Sequence, residues 1–403
     1  VVALALTELS LRIVARLSPG VRYLATAGVP RTTPTFTSLA EYLAWQPEVQ
    51  PYRSWLNRWN NSLGMHDEEF TRPKPPGRFR ILALGDSFTY AHVPYEDGVM
   101  TLVEARLRDA CPGMDLDLLN FGVGGAGVRD YRTMLSLAFA EYEPDLVLVH
   151  VYAGNDGPDL FRRVHGRSPL EASLGGVYLW TFGKNVIKLW RGVADPRLAR
   201  RGEPAPPERP GRSPRGGVVI DPERRIRDDD PLLVGPTLSG EAFERMMTEE
   251  LTRLYRPPWD GDVATAWQPI LEHLDAMRAQ VAGQKARIAL VLFPSALQVY
   301  PEQRADLAHR LRAARRHAPA SLEDIDPRLP NRVLEAYCRE HGIPCLDVTD
   351  ALEQARRESP APLYKQRDTH WTIRGNRVAA ESEAASLAPL VCPGTRRGTG
   401  PPA

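Results

Sequence analysis

The sequence predicts a doubly wound α/β fold, an open parallel sheet of about five strands covered by helices on both faces. Three observations predict it. Short runs rich in Val, Ile and Leu lack the alternation of half-buried strands, helical patterns lie between most of them, and 43% hydrophobic with 25% charged residues suits a folded chain. A net charge of +1 gives no electrostatic case for nucleic acid or an anionic surface, so no nucleic-acid partner is expected.

The chain opens on "VVALALTELSLRIVARLSPG", where Glu8, Arg12 and Arg16 fall at i, i+4 spacing and leave one charged stripe on an apolar helix. The apolar run is shorter than the ~20 residues that span a bilayer. Two readings stay open for it: a helix packed on the domain, or the trailing end of a membrane anchor that begins upstream. Residues 30–75, with "WLNRWNNSLGMHDEEF", are polar and aromatic without periodicity and read as an irregular extension.

Five apolar runs then read as buried strands: "FRILALG" (79–85), "LDLLNFG" (116–122), "DLVLVHVYAG" (145–154), "ARIALVLFP" (286–294) and "IPCLDV" (343–348). Helical patterns occupy 128–142, 265–283 and 330–341, and Thr372 is placed to cap a last helix over about 373–387. A large insertion, about 157–262, follows the third strand. It holds the Pro/Gly/Arg-rich "GEPAPPERPGRSPRGG", and Trp180, Trp190, Tyr255 and Trp259 suggest that parts of it pack. It leaves the carboxyl end of a strand, where α/β proteins bind ligands, and a lid is the favoured reading. The expected organisation is an N-terminal helix and extension (1–75), an α/β domain (76–395) interrupted by that insertion, and a disordered tail (396–403).

Residues just past the carboxyl ends of parallel strands converge on one rim. There the chain places Gly85-Asp86-Ser87, then "NFGVGGAG" with Gly124 and Gly125, then "AGND" with Asn155; "DTHW", with Asp368 and His370, precedes the last helix. Each piece alone is ordinary turn sequence. Together and in this order they supply a nucleophile, a base, an orienting carboxylate and donors for an oxyanion.

These residues resemble the blocks of the SGNH (GDSL-type) hydrolases: "GDSFT" the first, "NFGVGG" the second, "GND" the third and "DTHW" the last. The resemblance covers about 79–390, the insertion excepted. It implies a flavodoxin-like sheet, the SGNH hydrolase fold, with Ser87 as nucleophile, His370 as base and Asp368 as its partner. Ser87, Gly125 and Asn155 would supply the oxyanion hole, and Gly125 is taken over Gly124 for its distance from Asn120. Many family members place the aspartate three residues before the histidine, where this chain has Arg367. Its "DxHW" spacing is similar to SGNH-like O-acetyltransferases of bacterial polysaccharides, including alginate.

The implied function is a serine esterase acting through an acyl-enzyme on an acyl-ester small molecule or an acetylated carbohydrate, with O-acetyl transfer to an envelope or secreted polysaccharide as the alternative. Such chemistry needs no metal or organic cofactor. A membrane-anchored or extracytoplasmic place in a bacterial envelope is expected over a cytoplasmic one. Two lesser readings are an inactive glycan-binding relative and a nucleotide-binding protein. "GVGGAG" (122–127) fits GxGxxG between a strand and a helix, yet it follows the second strand; the third strand ends in Asn155 and Asp156 roughly 30 residues on, and Asp145, better spaced, begins its strand far from the rim. His309 and His317 have no carboxylate–histidine cluster to make a metal site. The four cysteines, Cys111, Cys338, Cys345 and Cys392, form no CxxC pair, and their even number permits disulfides without requiring them.

Overall fold

The five apolar runs are the strands of one parallel sheet in the computed structural model, which describes residues 2–17, 21, 36–46, 49, 54–55, 58–154, 179, 182–183, 186, 238–253, 255, 262–313 and 325–392. Strand β1 spans Phe79–Gly85, β2 Leu116–Gly122, β3 Leu146–Tyr152, β4 Arg287–Phe293 and β5 Cys345–Asp347. They lie in the order β2-β1-β3-β4-β5, each pair parallel. This is the flavodoxin-like order, with its switch between β1 and β3.

The helices in chain order are α1 Val2–Leu17, α2 Leu39–Trp45, α3 Ser87–Tyr90, α4 Val99–Ala110, α5 Val128–Tyr142, α6 Gly240–Arg253, α7 Asp262–Ala282, α8 Ala296–Val299, α9 Pro301–Ala313, α10 Leu329–His341, α11 Thr349–Glu358 and α12 Ile373–Val391. Alternate strand residues face opposite layers. Leu82, Leu84, Phe121, Val149 and Leu290 meet α2, α5, α7 and α10. Ile81, Ala83, Leu118, Leu148 and Val291 meet α3, α4, α11 and α12. Because both faces are covered, β2 and β3 are buried along their whole length.

The chain divides into two units, Val1–Thr35 with Phe161–Gly217, and Phe36–Leu160 with Val218–Ala403. The sheet belongs to the second. In the first, Glu8 of α1 accepts from Arg12 Nε at 2.7 Å and from the Leu179 N–H at 2.8 Å. Leu6, Leu9, Ile13 and Leu17 line an exposed apolar stripe. Among the described residues no helix is long and apolar enough to cross a membrane. The Arg16 side chain, Asn155, Trp180, Trp190, Trp259, His317, most of the insertion and the tail 396–403 lie outside the described residues. Near the end of the insertion, residues 240–253 are described and form α6.

Within the aperiodic extension, residues 60–65 are held by side chains that bond to backbone, a device that leaves no repeat in the sequence. Asn61 Oδ1 accepts the N–H groups of Leu63 and Met65 at 3.0 Å, and Asn60 Nδ2 donates to Gly64 O at 3.1 Å. Arg80, wholly buried on β1, donates to Thr71 O, to Tyr142 O and to both carboxylate oxygens of Asp117 on β2. A buried guanidinium persists only with its charge and its N–H groups matched in this way.

Cys111, just past α4, is bonded to Cys392, just past α12, with 5.2 Å between their Cα atoms. Cys338 and Cys345 carry free thiols; the Cys345 thiol beside it, together with burial, pushes the Cys338 pKa up. Denatured protein is therefore expected to titrate two thiols without reductant and four after reduction. Cys392→Ser should lower the unfolding free energy by about 2–5 kcal/mol, since the bridge closes a long loop. A count of four thiols without reductant would refute the pairing.

Candidate active site

Strand β1 ends at Gly85, and the chain turns at once into α3, whose first residue is Ser87. Asp86 sets that turn as N-cap, its Oδ1 accepting the Phe88 N–H at 2.8 Å. The acid of Gly-Asp-Ser thus shapes the backbone that presents the serine. Ser87 is 9% exposed, so it is less open than the strand-end position suggests. Phe88 beside it is packed at 4.0 Å on Tyr152 and edge-on to Trp371 at 5.0 Å.

The second glycine-rich block holds α3 in place. Gly122, paired with Gly85 in the sheet, lies directly under the α3 backbone. Asn120 Nδ2 donates to Thr89 O at 3.0 Å, and its Oδ1 accepts the Gly122 N–H at 2.9 Å. Asp67, from the extension, accepts the Asn120 N–H at 2.8 Å. Burial is the main cause of its carboxyl being pushed up to about 7.

Asp368 and His370 sit on a tight hairpin between α11 and α12. Tyr364 and Trp371 form its bridge, and the Lys365 N–H donates to His370 O at 2.9 Å. Asp368 Oδ1 accepts from both the His370 backbone N–H, at 3.0 Å, and Nδ1, at 2.5 Å. With Nδ1 carrying the proton, Nε2 is left as the acceptor. That Nε2 is buried and has no hydrogen-bond partner. The predicted cap of α12 is present, Thr372 Oγ1 accepting the Gly375 N–H at 3.2 Å.

Ser87 and His370 line one small pocket with Phe88, Ala91, His92, Trp371 and Asn376. No hydrogen bond joins the two candidates, and such bonds often tighten only when substrate is present. Gly125 lies on the same rim in a turn closed by Ala126 N–H to Val123 O at 3.0 Å, and its φ of +71° suits a glycine. It is exposed and does not line the Ser87–His370 pocket. Asn155 lies outside the described residues.

The sequence reading missed His92, Lys365 and Asp67, none of which carries a motif of its own. It also missed a buried cluster behind β4. There the Tyr255 hydroxyl donates to Glu250 Oε1 on α6 at 2.6 Å and bonds Ser295 Oγ at 2.6 Å. Burial pushes Glu250 up to about 7. Among the described residues no group of His, Cys, Asp and Glu is placed to hold a metal ion, and His309 on α9 stands apart from the pocket lining.

Residues 266–398, about a third of the chain, match the family described as SGNH hydrolase-like domain, acetyltransferase AlgX. The match takes in Asp368 and His370 and leaves Ser87, Gly125 and Asn155 outside. No curated protein matches the chain. Several solved structures are similar to it. A lipolytic protein of the G-D-S-L family from Veillonella parvula is 14% identical, over 76% of this chain and 97% of that one, with a TM-score of 0.36. The acetyl xylan esterase AlAXEase is 14% identical over 77% and 100%, with a TM-score of 0.36. A lipase/acylhydrolase from Enterococcus faecalis is 11% identical over 77% and 96%, with a TM-score of 0.34. The chain thus combines a β2-β1-β3-β4-β5 parallel sheet with a segment, 266–398, that matches an SGNH hydrolase-like domain and carries the Asp368–His370 hairpin.

Proposed function

We propose that the protein is a serine-dependent acyl-ester hydrolase that works through an acyl-enzyme. The observation that carries this reading is the Asp368–His370 pair, whose unpartnered Nε2 shares a small pocket with Ser87. Ser87 Oγ attacks the ester carbonyl while His370 Nε2 takes its proton, and Asp368 holds the imidazole and balances its charge. The oxyanion is met by the Ser87 N–H at the start of α3, by the Gly125 N–H and by the Asn155 amide. Loss of one such donor typically costs about 100- to 1000-fold in rate. Proton return from His370 expels the alcohol, and water then releases the acid from Ser87.

A sugar hydroxyl in place of that water makes the same site an O-acetyltransferase acting on an envelope or secreted polysaccharide. The description of the family matched by the hairpin-bearing segment favours keeping this second reading. A place in the bacterial envelope remains part of the proposal.

The test is p-nitrophenyl acetate turnover by wild type and Ser87→Ala, each with and without an oligosaccharide acceptor, alongside fluorophosphonate labelling. Turnover and label should both be lost in Ser87→Ala, with losses of about 10³-fold or more in kcat. Acetylated sugar in the wild-type reaction would select transfer over hydrolysis. Wild-type protein that neither turns over nor labels would overturn the reading.

A further inference from the structure

His92 lines the pocket, yet the proposed chemistry gives it no task. Its ring centroid lies 4.3 Å from that of His370, tilted by 32°. Phe88 packs on the same imidazole at 5.2 Å and 34°. Behind His92 the rings continue to Tyr90 at 5.5 Å, and from Tyr90 to His66 at 5.0 Å. The loop after α3 and the Asp368–His370 hairpin are tied a second time by Lys365, whose Nζ donates to the His92 carbonyl oxygen. Lys365 is only 8% exposed, so the tie is an internal one.

The backbone at both ends of this clamp is unusual. Three non-glycine residues have positive φ among the described residues: Ala91 at 62°, Glu143 at 50° and Arg367 at 48°. Ala91 directly precedes His92, and Arg367 directly precedes Asp368. Residues with a Cβ adopt this conformation rarely, and where they do the surrounding structure holds them in it.

We propose that His92 is a positioning residue for His370: its closely packed, tilted ring fixes the imidazole plane so that Nε2 stays on the pocket side toward Ser87. The proposal rests on the reading of His370 as general base. The groups that face His92 are His370 and Asp368 and Lys365 of the hairpin, and His66 of the extension. Burial first, then the neighbouring His370 ring and the Lys365 ammonium, hold the His92 pKa well below its ordinary value. His92 therefore stays neutral while His370 takes the Ser87 proton. The charge that forms on His370 then meets the electron-rich face of a neutral ring, an attraction that a like charge would abolish.

The experiment compares His92→Leu, which keeps bulk without a ring, with His92→Phe, which keeps a ring without nitrogens. Each is checked for a wild-type thermal midpoint and then assayed on p-nitrophenyl acetate. His92→Leu should lower kcat by about 10- to 100-fold with KM within about threefold, the pattern of a misaligned base rather than a lost substrate contact. His92→Phe should restore most of that loss. Equal loss in both variants would mean that the ring nitrogens are used, and a kcat unchanged in His92→Leu would mean that the ring packing is idle; either overturns the proposal. Wild-type protein without turnover or fluorophosphonate labelling fails the esterase reading instead. In that case the clamp is read from the downfield Nδ1–H resonance of His370, expected in wild type and His92→Phe and broadened away in His92→Leu. Its persistence in His92→Leu would overturn the clamp.

Discussion

Replacing Asp368 by asparagine is expected to lower kcat by about 10²- to 10⁴-fold with KM little changed, and to leave the fold intact. The range follows from the two bonds that one oxygen makes. Oδ1 accepts the His370 backbone N–H and the Nδ1 proton together. Asparagine keeps an oxygen that can accept both, and the backbone N–H resists a flip that would turn the amide nitrogen toward the ring. The hairpin and the ring orientation therefore survive, while the carboxylate charge that balances the imidazolium is gone. Asp368→Ala removes the acceptor as well, so it should be slower still and should loosen the hairpin. Steady-state kinetics on p-nitrophenyl acetate check both variants, with circular dichroism to confirm folding. A kcat within tenfold of wild type in Asp368→Asn would remove Asp368 from the mechanism.

The same hairpin shows what the sequence carried and what it hid. A carboxylate two residues before a histidine can accept that residue's own N–H, the local bond of an Asx turn, and the spacing alone signals this. Ser87 was legible for a similar reason, since a buried apolar strand ending in Gly-Asp-Ser must present the serine at a rim. The five strands were legible to within two residues because parallel strands covered on both faces are continuous apolar runs. Their order across the sheet leaves no local pattern, because it depends on crossovers, and only the resemblance, which implies a flavodoxin-like sheet, anticipated it.

The site's supports were hidden as well. Asp67 reaches Asn120 across 53 residues, and Lys365 reaches His92 across 273. Single polar residues acting at such separations have no periodicity to betray them. The extension over 30–75 reads as irregular in the sequence, yet α2 forms within it, and Asn60, His66 and Asp67 all engage α3 or the strand beneath it. The disulfide was hidden too, since the count of cysteines is silent on which ones meet.

The Gly-rich block after β2 invited a phosphate-binding reading, and the geometry gives its first glycine a different reason to exist. A Cβ on Gly122 would lie 2.1 Å from Tyr90 N, 2.6 Å from Thr89 C and 2.7 Å from Tyr90 Cα. All three are backbone atoms of α3, so no side-chain rotation relieves the clash. Gly122 cannot swing aside, because its N–H is held by Asn120 Oδ1 and its register is shared with Gly85. Only displacement of α3 makes room, and α3 carries Ser87. Gly122→Ala should therefore cost about 3–5 kcal/mol of stability, at the upper end for a point substitution, and lower the thermal midpoint by about 10 °C. Whatever folds should have lost most of its turnover. Gly77→Ala is the matched control. Its φ is +81° but its Cβ would meet nothing within 4 Å, so it bears only the conformational cost of about 1–2 kcal/mol. Thermal melts and p-nitrophenyl acetate turnover on the two variants separate steric from conformational roles. If Gly122→Ala melts like Gly77→Ala and retains full turnover, α3 does not rest on the end of β2, and the account of how this fold presents Ser87 is wrong.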